Sequence, residues 1–305
     1  MTGLVKRLTT IAAAALAPLG FAGAASAAQP EPWQMGFQPA VTEVMEDITW
    51  FSDFTLVIIT VITLFVLGLL LWCIFRFNAK ANPTPSRTSH NTMIEVVWTL
   101  APILILVAIS IPSFRLLYKQ LEIPAYDMTV KATGLQWAWT YDYTDEGMEG
   151  VSLSSYMLDN EGRAEKADRY GRPAEEYPRL LAVDYEMVVP VNKTVRVQVT
   201  AADVLHSFAM PAFGVKMDAV PGRLNETWFR AEKTGIYYGQ CSELCGKDHA
   251  FMPIAIRVVE QELYDAWAEA AKTDVDAAND QLMAALGKPA STADAAPGAL
   301  DVAAR

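Results

Sequence analysis

Four side chains suited to holding a soft metal lie within twelve positions of this chain, and a fifth precedes them at position 206. The segment Tyr238-Gly239-Gln240-Cys241-Ser242-Glu243-Leu244-Cys245-Gly246-Lys247-Asp248-His249-Ala250-Phe251-Met252-Pro253 holds two of the three cysteines, one of the three histidines and a methionine. A second histidine, His206, follows Asp203-Val204-Leu205. Thiolate, thioether and imidazole together select copper over calcium or magnesium. A mononuclear blue-copper centre takes one Cys, two His and a weak axial Met. Here there is one Cys more than that. Two bridging thiolates with two imidazoles and a Met can instead hold two copper ions, so that one electron is shared between two metals and little rearrangement accompanies its transfer.

Three other readings stand beside this one. Cys241 and Cys245 could form a disulfide in an oxidising compartment. The same residues could bind zinc, although structural zinc sites rarely include Met. Met252 could simply fill the core.

The elements that must position this cluster follow from hydropathy. Residues 1–28 have a basic start (Lys6, Arg7), a short apolar core and small residues at 25–28, the layout of a secretory signal peptide. Residues 29–50 read as an exported N-terminal segment. Residues 54–75 and 96–114 are free of charge, each near the 20 or so residues that a membrane helix requires. We assign membrane helices to 51–77 and 93–118, joined by a loop at 78–92. Arg76, Lys80 and Arg87 sit at that turn, with no acid between positions 78 and 93. Positive residues stay cytoplasmic, so the turn is expected inside and the remainder outside, in a bacterial inner membrane.

From residue 123 to 260 the period changes. Thr194-Val195-Arg196-Val197-Gln198-Val199-Thr200 is apolar at every second position, the pattern of a half-buried strand. Segments 126–133, 137–143, 227–230 and 253–259 also read as strands, with Pro and Gly between them. The expected fold is a two-helix membrane hairpin followed by an antiparallel β-sandwich or barrel. Residues 148–179 are polar and read as a surface loop. Residues 261–305 read as an amphipathic helix followed by an Ala-rich tail without order.

With 24 basic and 35 acidic residues the net charge is −11. That balance argues against nucleic acid, which needs clustered Lys and Arg, and allows a basic protein partner.

The segment Gly-Gln-Cys-Ser-Glu-Leu-Cys-Gly-x-x-His-x-x-Met-Pro resembles the dinuclear copper (CuA) motif of cytochrome c oxidase subunit II. The resemblance runs over about residues 33–267. It includes Asn91-Thr92 through Pro102, Gly134-Leu135-Gln136-Trp137-Ala138-Trp139, Asp203 to His206, and Lys216-Met217-Asp218-Ala219-Val220-Pro221-Gly222-Arg223.

It implies a cupredoxin-type domain. It also implies His206, Cys241, Cys245, His249 and Met252 as copper ligands by side chain, and Glu243 as one through its backbone carbonyl. The Glu243 carboxylate would bind magnesium shared with subunit I, as suits a hard oxygen ligand. Trp137 would receive electrons from cytochrome c. Asp142, Asp184 and Asp203 would help dock it, within a wider acidic set of Asp145, Glu146, Glu149 and Glu186. Where relatives commonly carry Phe-Asp-Ser-Tyr, this chain has Leu153-Ser154-Ser155-Tyr156, so one acidic contact is missing or supplied elsewhere. Glu95 would sit at the mouth of a proton-uptake channel of subunit I. The other implied partners are subunit III and membrane lipid.

By the same resemblance the chain relays electrons to a haem-copper subunit that reduces dioxygen to water and translocates protons, with haem confined to that partner. A quinol oxidase subunit would lack the copper ligands. A copper carrier needs no acidic platform beside a Trp. Nitrous oxide reductase would need many histidines. No Cys-x-x-Cys-His is present, so the donor is expected to be a separate protein.

Overall fold

A computed structural model describes residues 26–287. The expected signal peptide falls outside them except for its last three residues, and so does the end of the expected tail. Ser26–Ala28 (β1) pairs in parallel with a strand of the domain that follows the two helices.

Two long helices come first, α1 (Glu43–Arg76) and α2 (Thr92–Leu121). Both start on side-chain caps. Thr42 accepts from Met45 N–H and Asn91 from Ile94 N–H, each satisfying a first-turn donor. Glu43 and Glu46 then favour the positive end of α1. Helix α1 therefore begins eight residues before the expected 51, and its first turns lie on the domain that follows α2. Val44 and Met45 are buried there. Val41 N–H donates to Ala212 O, and Thr42 Oγ1 donates to Phe213 O. Gly214 has φ +70, and a Cβ on it would stand 2.7 Å from Ile48 Cδ1. Only glycine fits that turn comfortably, and so the hairpin and the domain meet closely. Lys119 Nζ reaches Glu43 and Asp47, each at 2.6 Å, and ties α2 to α1. The apolar window of each helix has no buried residue within the chain. Lipid or another chain must cover that surface.

The domain that follows α2 is a β-sandwich. One sheet runs β4 (Ser152–Ser155), β3 (Ala138–Tyr143), β2 (Met128–Leu135), β6 (Thr194–Ala201), β9 (Asn225–Arg230). The other runs β5 (Met187–Pro190), β11 (Pro253–Val259), β10 (Gly235–Cys241), β7 (His206–Met210), β8 (Val215–Ala219), with β1 beside β10. Most pairings are antiparallel, as expected. β2–β6, β5–β11 and β1–β10 are parallel. Val195, Val197 and Val199 of β6 face Phe208, Met210, Ile254, Ile256 and Val258 across the core, which is what the period-two pattern demanded.

Residues 148–179 are not a plain surface loop. They contain β4 and a helix, α3 (Asn160–Tyr170), capped by Asp159 and ended by Gly171 in the left-handed region. Leu181 and Val183 then cover the outer face of β10 and β11 at Ile236, Tyr238 and Ala255. After α4 (Gln261–Ala271) the chain forms α5 (Val275–Leu286) rather than an irregular tail. Ala278 and Leu282 of α5 join the core, and Trp267 Nε1 donates to Asn279 Oδ1 at 2.8 Å.

Candidate metal centre

The site is built where β7 begins and β10 ends. β10 pairs with β7 through Gln240–Ala209 and Cys241–Phe208. That register brings Cys241 beside His206, whose side chain is completely buried. The pairing needs Gly239, where a Cβ would come 1.9 Å from Ala209 O. Gly134 on β2 is needed as well, since a Cβ there would meet the His206 ring at 2.9 Å. We expect Gly239→Ala to part β7 from β10 and cost at least the 1–3 kcal/mol or so typical of overpacking. Thermal unfolding with copper titration should report a lower midpoint and weakened binding. Unchanged values would refute the close-approach argument.

The loop from Ser242 returns the remaining groups. Ser242 N–H bonds Ser207 O. Gly246 turns the chain with φ +124, and a 3-10 turn at His249–Phe251 leads into β11. Cys241 Sγ and Cys245 Sγ stand 3.9 Å apart and are not bonded to each other. Cys241 Sγ lies 3.9 Å from His206 Nδ1 and 3.3 Å from the Glu243 carbonyl oxygen. Cys245 Sγ lies 3.5 Å from His249 Nδ1 and 3.5 Å from Met252 Sδ. All six expected ligand groups thus converge. His206, Cys241 and Cys245 form a compact trio, their ligand atoms within 4.8 Å of one another.

Burial favours the neutral thiol at Cys245. Burial, followed by the neighbouring Cys241, pushes the Cys245 thiol up to about 12. A cation between the sulfurs would reverse that preference. The donor set of two sulfurs, two imidazoles, a thioether and a carbonyl fits copper.

Supporting contacts fix these groups. Asp203 Oδ1 lies 2.9 Å from His206 Nε2, which leaves Nδ1 for the sulfur side. Asp203 Oδ2 accepts from Gln136 N–H at 2.7 Å. Partial burial opposes ionisation of Asp203, but bonds from His206, Val204 N–H and Gln136 N–H hold its carboxyl below the usual range. Gln136 Nε2 and Trp137 Nε1 both donate to the Cys245 carbonyl, at 3.0 and 3.2 Å. Trp139 is fully buried, donates to Met252 O at 3.2 Å and packs edge-on against His206. Trp137 is half-buried beside the loop. The two tryptophans therefore separate into a core member and a loop contact. Gln136 was not foreseen. A polar residue in the turn between β2 and β3 was its only sequence signal.

The acids expected on the docking face differ in kind. Glu186 is not a surface acid: it is buried with Arg257 and Lys166. Asp184 is half-buried and accepts from Tyr156 and Tyr185 N–H, with burial raising its carboxyl. Asp142 accepts from Ser152 Oγ at 2.6 Å. Glu146 and Glu149 are exposed. The Glu243 residue is exposed, while its carbonyl faces the sulfur. Glu95 lies in the first turn of α2, roughly 40 Å along the helix from the domain, and is not brought to the metal cluster.

A membrane hairpin carrying a cupredoxin-type sandwich, with soft ligands gathered at one end, defines a membrane-anchored copper-protein class. Comparisons narrow this. Residues 128–259 match the family described as cytochrome c oxidase subunit II, periplasmic domain, and residues 30–116 match its transmembrane domain. The chain is 49% identical over 259 residues to a probable cytochrome c oxidase subunit 2 of Rickettsia bellii, covering 85% of this chain and 92% of that one. It is 47% identical over 288 residues to cytochrome c oxidase subunit 2 of Cereibacter sphaeroides, covering 88% and 93%. A crystal structure of the periplasmic domain of cytochrome oxidase subunit II from Bradyrhizobium japonicum is 58% identical, covers 50% of this chain and 99% of that one, and superposes with a TM-score of 0.44. The chain belongs to the cytochrome c oxidase subunit II family, and so to the haem-copper oxidase complex.

Proposed function

We propose that this subunit takes electrons from cytochrome c on the periplasmic side and passes them to the haem-copper subunit I. The observation that carries the reading is the convergence of His206, Cys241, Cys245, His249, Met252 and the Glu243 carbonyl within one small volume. These residues would hold a dinuclear copper centre, which when bound supplies a one-electron store that exchanges with little rearrangement.

The chain's own residues do the rest. Asp203 orients His206. Gln136 and Trp137 hold the Cys245 carbonyl. Trp137 is the contact for the donor, because its indole is partly open to solvent and one hydrogen bond from the Cys245 backbone. Exposed acids steer a lysine-rich cytochrome c, with an on-rate that falls with salt. Asp142, Asp184 and Asp203 keep this role in the proposal. Asp203 and Asp184 also hold local structure, so Glu146 and Glu149 are the cleaner test positions.

Magnesium at the Glu243 carboxylate and proton uptake at Glu95 belong to the same reading, with subunits I and III as neighbours. Residues 1–28 act as the signal peptide, and its removal would take most or all of β1 with it while leaving the other strand pairings in place. The basic turn at Arg76, Lys80 and Arg87 supports a cytoplasmic loop and a periplasmic copper domain.

Copper loading of the detergent-solubilised chain tests the core of this. We expect two copper ions per chain, a purple colour and a multi-line mixed-valence electron paramagnetic resonance signal. One copper with a four-line spectrum would overturn the dinuclear centre. Trp137→Ala should keep that spectrum but slow electron uptake from reduced cytochrome c. Unchanged uptake would remove Trp137 from the path.

A further inference from the structure

The loop that closes the metal site also sets a cation beside Trp137. Gly246 adopts φ +124, and a Cβ on it would lie 2.9 Å from Trp137 Cζ2. The backbone therefore lies directly against the indole, and the next residue is Lys247. Its Nζ is 5.9 Å from the ring centroid, within cation–π reach. Its side chain is 79% exposed, with Asp248 Oδ2 at 3.7 Å. Gln136 and the one-third-exposed Asp203 flank the same spot. A positive charge, with Asp248 beside it, thus stands next to the indole.

We propose that Lys247 is a specificity-determining residue for the electron donor: it favours a cytochrome that presents a carboxylate beside its exposed haem edge and penalises one that presents a lysine there. The proposal rests on Trp137 being the donor contact. Like charges brought together at an interface suppress a partner, and opposite charges raise its association rate. The effect must fall as salt screens it.

A charge-swap cycle on the intact oxidase tests this. The donors are a cytochrome c with lysines around its haem crevice and variants of it in which one haem-edge lysine at a time is glutamate. Second-order rates of electron uptake are measured from low to high ionic strength. Lys247→Glu should speed the lysine-ringed donor by roughly three-fold or more at low salt and slow at least one glutamate variant. Lys247→Arg should match the unaltered protein. Coupling of at least about three-fold that vanishes at high salt supports the proposal. Coupling of one for every haem-edge lysine overturns it. Trp137→Ala, run alongside, separates the two ideas. If it slows uptake while coupling is one, the selectivity role alone fails. If it leaves uptake unchanged and coupling is one, both fail.

Discussion

Cys245→Ser should abolish the paired-copper signature while leaving the fold of the domain in place. Three of the contacts inside the cluster run through Cys245 Sγ, to Cys241 Sγ, His249 Nδ1 and Met252 Sδ. No other atom joins the His206 side of the site to the His249 side so directly. A serine oxygen is harder and sits on a shorter bond, so a soft metal that both cysteines would hold would lose one of its two thiolate donors. The loop itself should survive, because Gln136 and Trp137 grip the carbonyl of residue 245 and not its side chain.

We therefore expect near-ultraviolet circular dichroism to be preserved, copper to fall to one per chain or none, the multi-line resonance to vanish and electron uptake from cytochrome c to drop to background. Cys73→Ser is the control. That cysteine lies exposed on α1 within the membrane-spanning stretch and should change nothing. Two coppers and an intact multi-line signal in Cys245→Ser would overturn the ligand assignment.

Much of this was legible in the sequence, for identifiable reasons. The ligand loop is contiguous, so its donor types can be counted without knowing the fold. The hairpin is legible because two charge-free runs have few alternatives. β6 is legible because Val195, Val197 and Val199 alternate with polar residues. Strand direction is not legible from alternation, which is the same in parallel and antiparallel pairs, and β2–β6 was missed as a parallel pair. α3 was missed because nearly all of its residues are polar. Only Ala167 is buried on it, so the caps at Asp159 and Gly171 were the remaining cue. α5 was obscured by an Ala-rich composition, and Leu282 and Met283 reveal its buried face only once the sheet beneath is known. Asp203 was found as a surface acid, yet its link to His206 is a three-dimensional fact. Glu186 was misread for the same reason: a lone acid between apolar residues looks like a rim charge until Arg257 and Lys166 are seen around it.

That buried trio carries the largest stability prediction. Burial alone would raise the Glu186 carboxyl. The Arg257 guanidinium and the Lys166 ammonium outweigh it and hold the group at about 2, against a usual 4.5. The contacts join α3 to β11 and to the residue just before β5. A carboxyl lowered on folding stabilises the folded state when it is ionised. That contribution is complete above about 4.5 and is lost as pH falls to about 2. The gap corresponds to roughly 3 kcal/mol near neutral pH.

Glu186→Gln keeps the shape but leaves two cations without their counter-charge. It should cost about 3–5 kcal/mol, as expected when one member of a buried pair is removed. It should also flatten the dependence of stability on pH between about 4.5 and 2. Glu186→Leu combined with Arg257→Met and Lys166→Met removes all three charges and should recover part of that loss, because the desolvation cost disappears with them. Thermal midpoints from near-ultraviolet circular dichroism of the detergent-solubilised chain, taken across that pH range, would read all three. A midpoint for Glu186→Gln equal to that of the unaltered chain, with the same acid dependence, would mean that the network contributes no net stability and that the packing of α3 rests on Ala167 and its apolar neighbours Leu158, Tyr177 and Ala182 instead.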